Sequence, residues 1–239
     1  MPGPLQVLSS IFLLAALATL ARTQQVTLSA EVKLVDGKRN SEVRRADNIV
    51  VWLTPLGGQQ AAPPAPAAHW RLSQRNKHFE PHLLIVPVGA IVEFPNHDPF
   101  FHNVFSLFEG KRFDLGLYEA GTTRNVSFDR PGISYIFCNI HAEMSAVVIA
   151  LDTPYYGVSN VKGELVIPRV PVGNYIMRTW AETASPENLN ALTRAIRVSE
   201  SSSTLGAFEI KGSTVSAAHK NKFGMEYEPP PRNGPGYEK

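Results

Sequence analysis

The sequence predicts an all-β fold of the sandwich type, and three features support this. The segment from Val26 to Leu34 alternates apolar and polar residues, as a half-buried strand does. Short apolar runs of strand length then recur, separated by turn residues such as Pro131-Gly132. Helical periodicity is scarce, and only Ser185 to Leu192 is expected to form a helical turn or two. Strands at this spacing are typical of an antiparallel sandwich or a Greek-key barrel.

The predicted strands fall into three blocks along the chain. The first block contains Val26–Leu34 and Ile49–Leu53, the central block contains Leu83–Val88, Ala90–Phe94, Asn103–Phe108, Arg124–Phe128, Ile133–Cys138 and Val147–Leu151, and the third contains Gly163–Ile167, Asn174–Trp180, Ala195–Val198 and Leu205–Ile210. Residues 57–69, rich in Pro and Ala, are predicted to be a linker or exposed loop. The Pro, Gly and charged residues of 213–239 predict an extended tail.

Composition limits the class of protein. A chain of 239 residues has room for one large or two small domains, and 44% hydrophobic with 18% charged residues is ordinary for a globular protein. The formal net charge of +2 is small, and the basic residues form no dense run. We therefore expect no nucleic-acid partner.

The N-terminal apolar run from Ile11 to Leu20 predicts a signal peptide. It is shorter than the roughly 20 residues that a membrane-spanning helix needs. Thr19-Leu20-Ala21 places small residues where a signal peptidase cuts, so we expect residues 1–21 to be removed. The mature chain would begin near Arg22, in the periplasm or outside the cell, with no membrane span. An uncleaved anchor is the alternative, because no Lys or Arg precedes the apolar run.

If the protein is exported, its single cysteine, Cys138, needs an explanation. One cysteine cannot form an internal disulfide, and a free thiol in an oxidising compartment needs burial or a bound partner. Cys138, His141 and Met144 lie within seven residues, between two predicted strands. A thiolate, imidazoles and a weak thioether are the donors of a blue-copper site. The missing imidazole must come from a neighbouring strand, and His102 is the best candidate because it precedes the strand that begins at Asn103.

Each of these residues has a more ordinary interpretation when taken alone. A single cysteine or methionine at a strand end is usually a buried apolar residue. Their joint occurrence with two histidines favours copper. Glu143 is a rival to Met144 as the axial ligand. The remaining histidines lack metal-like spacing; these are His69, His78, His82, His97 and His219.

The central block resembles the cupredoxin family, which includes plastocyanin, pseudoazurin and amicyanin. The resemblance runs from about Gln74 to Leu151. Its motifs are Phe79-Glu80-Pro81, Val86-Pro87-Val88-Gly89, Val92-Glu93-Phe94-x-Asn96-x-Asp98, His102-Asn103-Val104-Phe105-Ser106, Pro131-Gly132 and Cys138-x-x-His141-x-x-Met144. The spacing from His141 to Met144 is similar to the short loop of amicyanin.

This resemblance implies a Greek-key β-sandwich over residues 70–153 that holds one type 1 copper ion. His102, Cys138 and His141 would be its strong ligands, and Met144 its long axial ligand. Asn103 would tie the two ligand loops together. The implied function is one-electron transfer between redox partner proteins, with His141 at the exposed edge as the electron port.

The flanking blocks resemble a second family. Residues 160–175 are similar to the carboxypeptidase regulatory-like (transthyretin-like) β-sandwich, and Val26–Leu56 resembles its opening strands. Residues 22–56 and 154–212 would then form one sandwich into which the cupredoxin is inserted. The alternative is that these strands extend the cupredoxin sheets. The whole arrangement resembles exported proteins of the methylamine-utilisation-like type, from which no pathway follows.

Two other functions stay open beside electron transfer: copper storage or delivery, and a structural sandwich without a working metal. No enzymatic activity is predicted. Phe137 and Asn139 flank Cys138 where coupled multicopper oxidases carry further histidine ligands. A Cys and a His three residues apart on one loop also suit metal ligation better than a nucleophile–base pair.

Overall fold

The structure is a computed structural model that describes residues 24–36, 45–57, 69–107, 110–212 and 219–227. The predicted signal peptide, residues 1–21, lies outside the described residues. So does most of the predicted linker, residues 58–68, and so do residues 213–218 and 228–239 of the predicted tail.

The described residues form seventeen strands and one short helix. The strands are β1 (Gln25–Asp36), β2 (Val50–Pro55), β3 (Trp70–Arg71), β4 (Ser73–Arg75), β5 (His78–Glu80), β6 (Leu83–Pro87), β7 (Ala90–Pro95), β8 (His102–Ser106), β9 (Phe113–Tyr118), β10 (Thr123–Phe128), β11 (Gly132–Cys138), β12 (Ser145–Leu151), β13 (Tyr156–Val158), β14 (Glu164–Pro171), β15 (Gly173–Trp180), β16 (Arg194–Val198) and β17 (Thr204–Gly212), and the helix is α1 (Pro186–Ala191). The predicted all-β class is confirmed. Among the described residues, no helix has the length and apolar content to cross a bilayer.

The central part of the chain is a two-sheet sandwich. One sheet has the strand order β6-β12-β11-β8-β9, and the other has the order β10-β7-β3. The two sheets enclose one apolar core, which we call the central core. Phe94 and Phe128 enter it from the three-stranded sheet, and Val104 and Ile136 enter it from the five-stranded sheet.

Strand β12 supplies two cores at once. Alternate side chains of a strand point to opposite faces, and both faces of β12 are covered. Its even-numbered residues enter the central core, and its odd-numbered residues after Ser145 enter a second core, which we call the interface core. The members of β12 are Ala146, Val148 and Ala150 on the first face and Val147, Ile149 and Leu151 on the second. The interface core also contains Val50 and Trp180, which belong to the flanking strands.

The flanking strands pair with one another across the central segment. They form two sheets, with the orders β14-β1-β17 and β13-β2-β15-β16, around a third apolar core. Strand β2 pairs with β15, so that Trp52 lies opposite Arg178 although the central sandwich separates them in sequence. This pairing is what an inserted central sandwich requires. A transthyretin-like identity for the flanking sandwich stays a prediction.

Five strands were not predicted from the sequence. Four of them, β3, β4, β5 and β13, have only two or three residues, too few for a period to show. The fifth, β9, contains Gly116 at φ +67°, and glycine is depleted in strands. The predicted helical turn is present as α1, whose first turn is capped by the Ser185 side chain accepting from the Asn188 amide.

A histidine links the central and flanking sandwiches at their surface. His82, just before β6, places Nε2 at 2.7 Å from the Glu182 carboxylate, just after β15. Its Nδ1 lies 3.1 Å from the Ser145 carbonyl oxygen. The hydrogen bond that His82 donates to Glu182 raises the pKa of His82 above its ordinary value of 6.5, against the opposing effect of burial.

We expect this ion pair to make the stability of the protein depend on pH. Because the pKa of His82 is raised in the folded state, the pair contributes fully below the ordinary pKa and is lost as pH rises through the raised pKa. Replacing Glu182→Gln should lower the melting temperature near about pH 6 and have little effect near about pH 9. Thermal unfolding of both proteins over this range measures the difference. Glu200→Gln, at an exposed residue of the flanking strands' part of the chain, is the control. If Glu182→Gln lowers the melting temperature equally at every pH, the ion pair with His82 is not the cause.

Candidate metal centre

The loop between β11 and β12 carries three of the predicted ligands. Cys138 is the last residue of β11. Its amide donates to the Met144 carbonyl at 3.2 Å, and the Met144 amide donates to the His141 carbonyl at 3.1 Å. These two bonds fold the loop back on itself, so that residues spaced three apart lie together. We call residues 138–144 the ligand loop.

The register between β8 and β11 brings the fourth predicted ligand to this loop. Cys138 lies opposite Val104 in the antiparallel pair. Residues directly opposite each other point to the same face of a sheet, and so do residues two apart on one strand. His102, two residues before Val104, therefore shares the face of Cys138. It lies beside the end of β11, where the ligand loop begins.

The structure brings His102, Cys138 and His141 together. Their ligating atoms all lie within 4.8 Å of one another. The Cys138 Sγ is 3.6 Å from His102 Nδ1 and 3.6 Å from His141 Nδ1. Cys138 and His102 are fully buried, and His141 is partly exposed.

A buried carboxylate fixes the orientation of His102. Asp98 Oδ2 lies 2.9 Å from His102 Nε2, and the side chains are 4% and 0% exposed. The backbone amides of Asn76 and Lys77 also donate to the carboxylate. Burial raises the pKa of Asp98, but these donors together hold it below its usual range. An ionised Asp98 only accepts, so Nε2 carries the proton and Nδ1 keeps its lone pair facing Cys138.

Burial determines the charge of the other groups. It lowers the pKa of His102 and of His141, and the nearby His102 lowers the pKa of His141 further. Both imidazoles are therefore neutral near pH 7 and able to ligate. Burial also raises the pKa of the Cys138 thiol, although the amides of Asn103, Ile140 and His141 oppose this. A bound cation would supply the charge that stabilises the thiolate.

The distances fit a metal ion between the three side chains. Metal bonds of about 2.3 Å to a thiolate and about 2.0 Å to an imidazole place sulfur and nitrogen roughly 3.5 to 3.8 Å apart, for angles between tetrahedral and trigonal. Both observed separations are 3.6 Å. One thiol proton can satisfy only one of the two imidazole nitrogens, so an S–H···N hydrogen bond alone does not account for the convergence.

The two candidates for axial ligand lie in different surroundings. Met144 is fully buried and belongs to the central core together with Cys138. Glu143, its neighbour in the ligand loop, is exposed. The identity of the fourth donor stays a prediction.

A phenylalanine ring lies beside both imidazoles of the group. The Phe100 ring lies 5.3 Å from the His102 ring and 5.5 Å from the His141 ring, measured between centroids. His141 is partly exposed, whereas His102, Cys138 and Met144 are fully buried. The part of the site that reaches solvent is thus the edge at His141.

The remaining histidines that sequence analysis set aside have other positions or partners. His97 is exposed, His69 lies 3.6 Å from Glu93, and His82 pairs with Glu182. Nδ1 of His78 faces the Asn76 carbonyl oxygen. His219 belongs to the predicted extended tail, and its ring stacks on Phe137 with centroids 4.1 Å apart.

Asn103 connects the two ligand-bearing segments through its main chain. Its carbonyl accepts from the Asn139 amide at 2.8 Å. Its side chain instead donates to Asp114 at 2.6 Å. Two residues beside the site were given no role from the sequence: Asp98, which was named only as part of a motif, and Tyr227. Asp98 stands four residues before His102, a spacing that could have suggested the contact, whereas no local pattern marks Tyr227.

Comparisons with known proteins give similarity over part of the chain. No protein-family model and no curated protein matches it. A purple cupredoxin from Nitrosopumilus maritimus is 21% identical, with 34% of this chain and 99% of the other aligned at a TM-score of 0.32. A mutant of amicyanin in its Cu(I) form is 16% identical, with 42% and 98% aligned at 0.33. A copper-containing nitrite reductase from Thermus scotoductus SA-01 is 22% identical, with 41% and 25% aligned at 0.34.

We expect Asp98→Asn to change the His102 ring in the metal-free protein. The substitution removes the charge that raises the pKa of His102 against burial, so this pKa should fall further. Ring nitrogen chemical shifts measure both the pKa and the tautomer. Glu143→Gln, at the exposed carboxylate of the ligand loop, should leave His102 unchanged. A proton on Nδ1 of His102 in the wild-type protein would show that Asp98 is not its hydrogen-bond partner.

Proposed function

We propose that the central sandwich is a cupredoxin-type copper protein that carries single electrons. One copper ion would bind through His102, Cys138, His141 and Met144. The observation that carries this proposal is the convergence of two neutral imidazole Nδ1 atoms on one buried sulfur, each at 3.6 Å.

The donor set favours copper over other metals. A structural zinc site fills four positions with thiolates, imidazoles or carboxylates. Here the buried fourth candidate is a thioether, a soft and weak donor that suits copper. When bound, copper supplies a one-electron couple between Cu(I) and Cu(II).

The surrounding residues suit electron transfer because they hold the donors in place. His102 lies in a paired strand and is fixed by Asp98, while Cys138 and Met144 are part of a packed core. Donors held this firmly change position little when the charge on the metal changes. His141, which is partly exposed and lies beside the Phe100 ring, is the proposed port to donor and acceptor proteins.

This proposal includes export of the protein and no enzymatic activity. The residues next to Cys138 in the chain, Phe137 and Asn139, are not metal ligands of the kind that couple further coppers. Copper storage or delivery is the alternative role, and it needs a site that exchanges its metal readily. Full burial of three of the four donors supports retention of the metal instead.

Copper-loaded protein is expected to show strong visible absorption that Cys138→Ser abolishes. The absorption comes from charge transfer from thiolate to Cu(II), which a hydroxyl cannot replace. His102→Ala should weaken copper binding. His97→Ala is the matched control, because His97 is close in sequence but exposed. Absorption spectra with a one-to-one copper titration test these points, and an unchanged spectrum for His102→Ala would remove it from the ligand set.

Met144→Leu is expected to raise the reduction potential, whereas Glu143→Gln should have little effect. Loss of the thioether weakens the binding of Cu(II) more than the binding of Cu(I). The reduction potential rises by roughly 59 mV for each tenfold difference between these two effects. Voltammetry of the two variants and the wild-type protein gives the comparison. A larger change for Glu143→Gln than for Met144→Leu would assign the axial position to the carboxylate.

A further inference from the structure

The segment His219–Tyr227, which we call the C-terminal segment, lies against the ligand loop. The Tyr227 hydroxyl donates to the Cys138 carbonyl oxygen at 2.7 Å. The Lys222 amide donates to the Asn139 side-chain oxygen at 2.9 Å. These two bonds hold the residue that carries the sulfur and the residue that follows it.

An aromatic contact adds to these hydrogen bonds. The His219 ring stacks on the Phe137 ring, with centroids 4.1 Å apart and planes 24° apart. Nδ1 of His219 also lies 3.2 Å from the Tyr227 hydroxyl oxygen. Phe137 is only 8% exposed. The C-terminal segment thus contacts three successive residues, Phe137, Cys138 and Asn139.

The same segment is linked to the strand of the other buried histidine. Lys222 Nζ lies 2.8 Å from Asp114 Oδ2, and Asp114 Oδ1 accepts from the Asn103 side chain at 2.6 Å. Asn103 follows His102 directly. Contacts from one segment therefore reach the neighbours of both buried donors, on β8 and on β11.

The C-terminal segment has a defined conformation of its own. The Asn221 side-chain oxygen accepts from the amides of Phe223 and Met225, each at 3.0 Å. The Asn221 amide donates to the Met225 carbonyl at 2.9 Å. This turn contains Lys222, and Tyr227 follows it two residues after Met225. The side chains of Phe223 and Met225 are 69% and 59% exposed. The turn therefore contacts the ligand loop through the Lys222 amide and not through these two side chains.

We propose that the C-terminal segment is a positioning element of the metal centre: it holds the ligand loop in its ligating conformation and restricts its opening. The inference rests on the proposed copper site, because it assigns the segment a role toward that site. The bond from Tyr227 fixes the peptide plane between Cys138 and Asn139, where the ligand loop departs from β11. Metal binding and docking of the segment then reinforce each other, since each favours the same loop conformation.

The first test uses Cys138 as a reporter in metal-free, full-length protein. Modification by iodoacetamide requires the ligand loop to open, since the thiol is fully buried. Tyr227→Phe removes one hydrogen bond and keeps the ring, so the modification rate should rise about threefold to tenfold. Met225→Ala is the matched control in the same segment and should leave the rate unchanged. An unchanged rate for Tyr227→Phe, or an equal rise in both variants, overturns the proposal.

The second test asks whether the segment responds to metal, which a merely structural contact would not do. Amide exchange of residues 219–227 is measured in the wild-type protein before and after one equivalent of Cu(II). Exchange at the Lys222 and Met225 amides should slow when copper binds, and Tyr227→Phe should bind copper more weakly than Met225→Ala. Bound copper without slower exchange overturns the proposal. Failure of copper to bind would refute the proposed function instead, and the Cys138 modification rate would still decide the role of the segment.

Discussion

The antiparallel register of β8 and β11 is the constraint on which the metal centre depends. It places Val104 opposite Cys138 and so directs His102 and the sulfur to the same face of the sheet. A shift of one residue would turn His102 away from the core, because the side-chain period of a strand is two. This register is specified by the central core, in which Val104, Ile136 and Cys138 are all buried. The relative positions of His102 and the Cys138 sulfur are therefore a consequence of the packing of the central core.

The other face of the same sheet is also covered by packed side chains. Val147 and Ile149 of β12 pack against Val50 and Trp180 of the flanking sandwich, so the strand that follows the ligand loop is buried on both faces. The Trp180 indole also donates to the Tyr135 hydroxyl at 3.3 Å. The flanking strands thus support β11 and β12, the strands on either side of the ligand loop.

Each donor of the proposed site is supported differently. His102 has a carboxylate partner, Cys138 has backbone amides around its sulfur, and Met144 has the apolar core. His141 lies beside the Phe100 ring and is the donor that reaches solvent. This gradation from buried to exposed is what a site needs if it is to retain a metal and still exchange electrons with a partner at one edge. The C-terminal segment adds a further support at Cys138, the position where a change in the ligand loop would begin.

The sequence by itself determined the all-β class, most strands and the group of donors on one loop. These depend on short-range pattern: alternation over a strand, and the three-residue spacing of Cys138, His141 and Met144. The shortest strands, such as β4 and β5, carry too few residues for a pattern. Tertiary structure alone decided the contacts between distant segments, including His82 with Glu182 and Tyr227 with Cys138. The physical reason is that such contacts depend on strand register and on which faces pack together, and neither leaves a periodic trace in the sequence around the residues concerned.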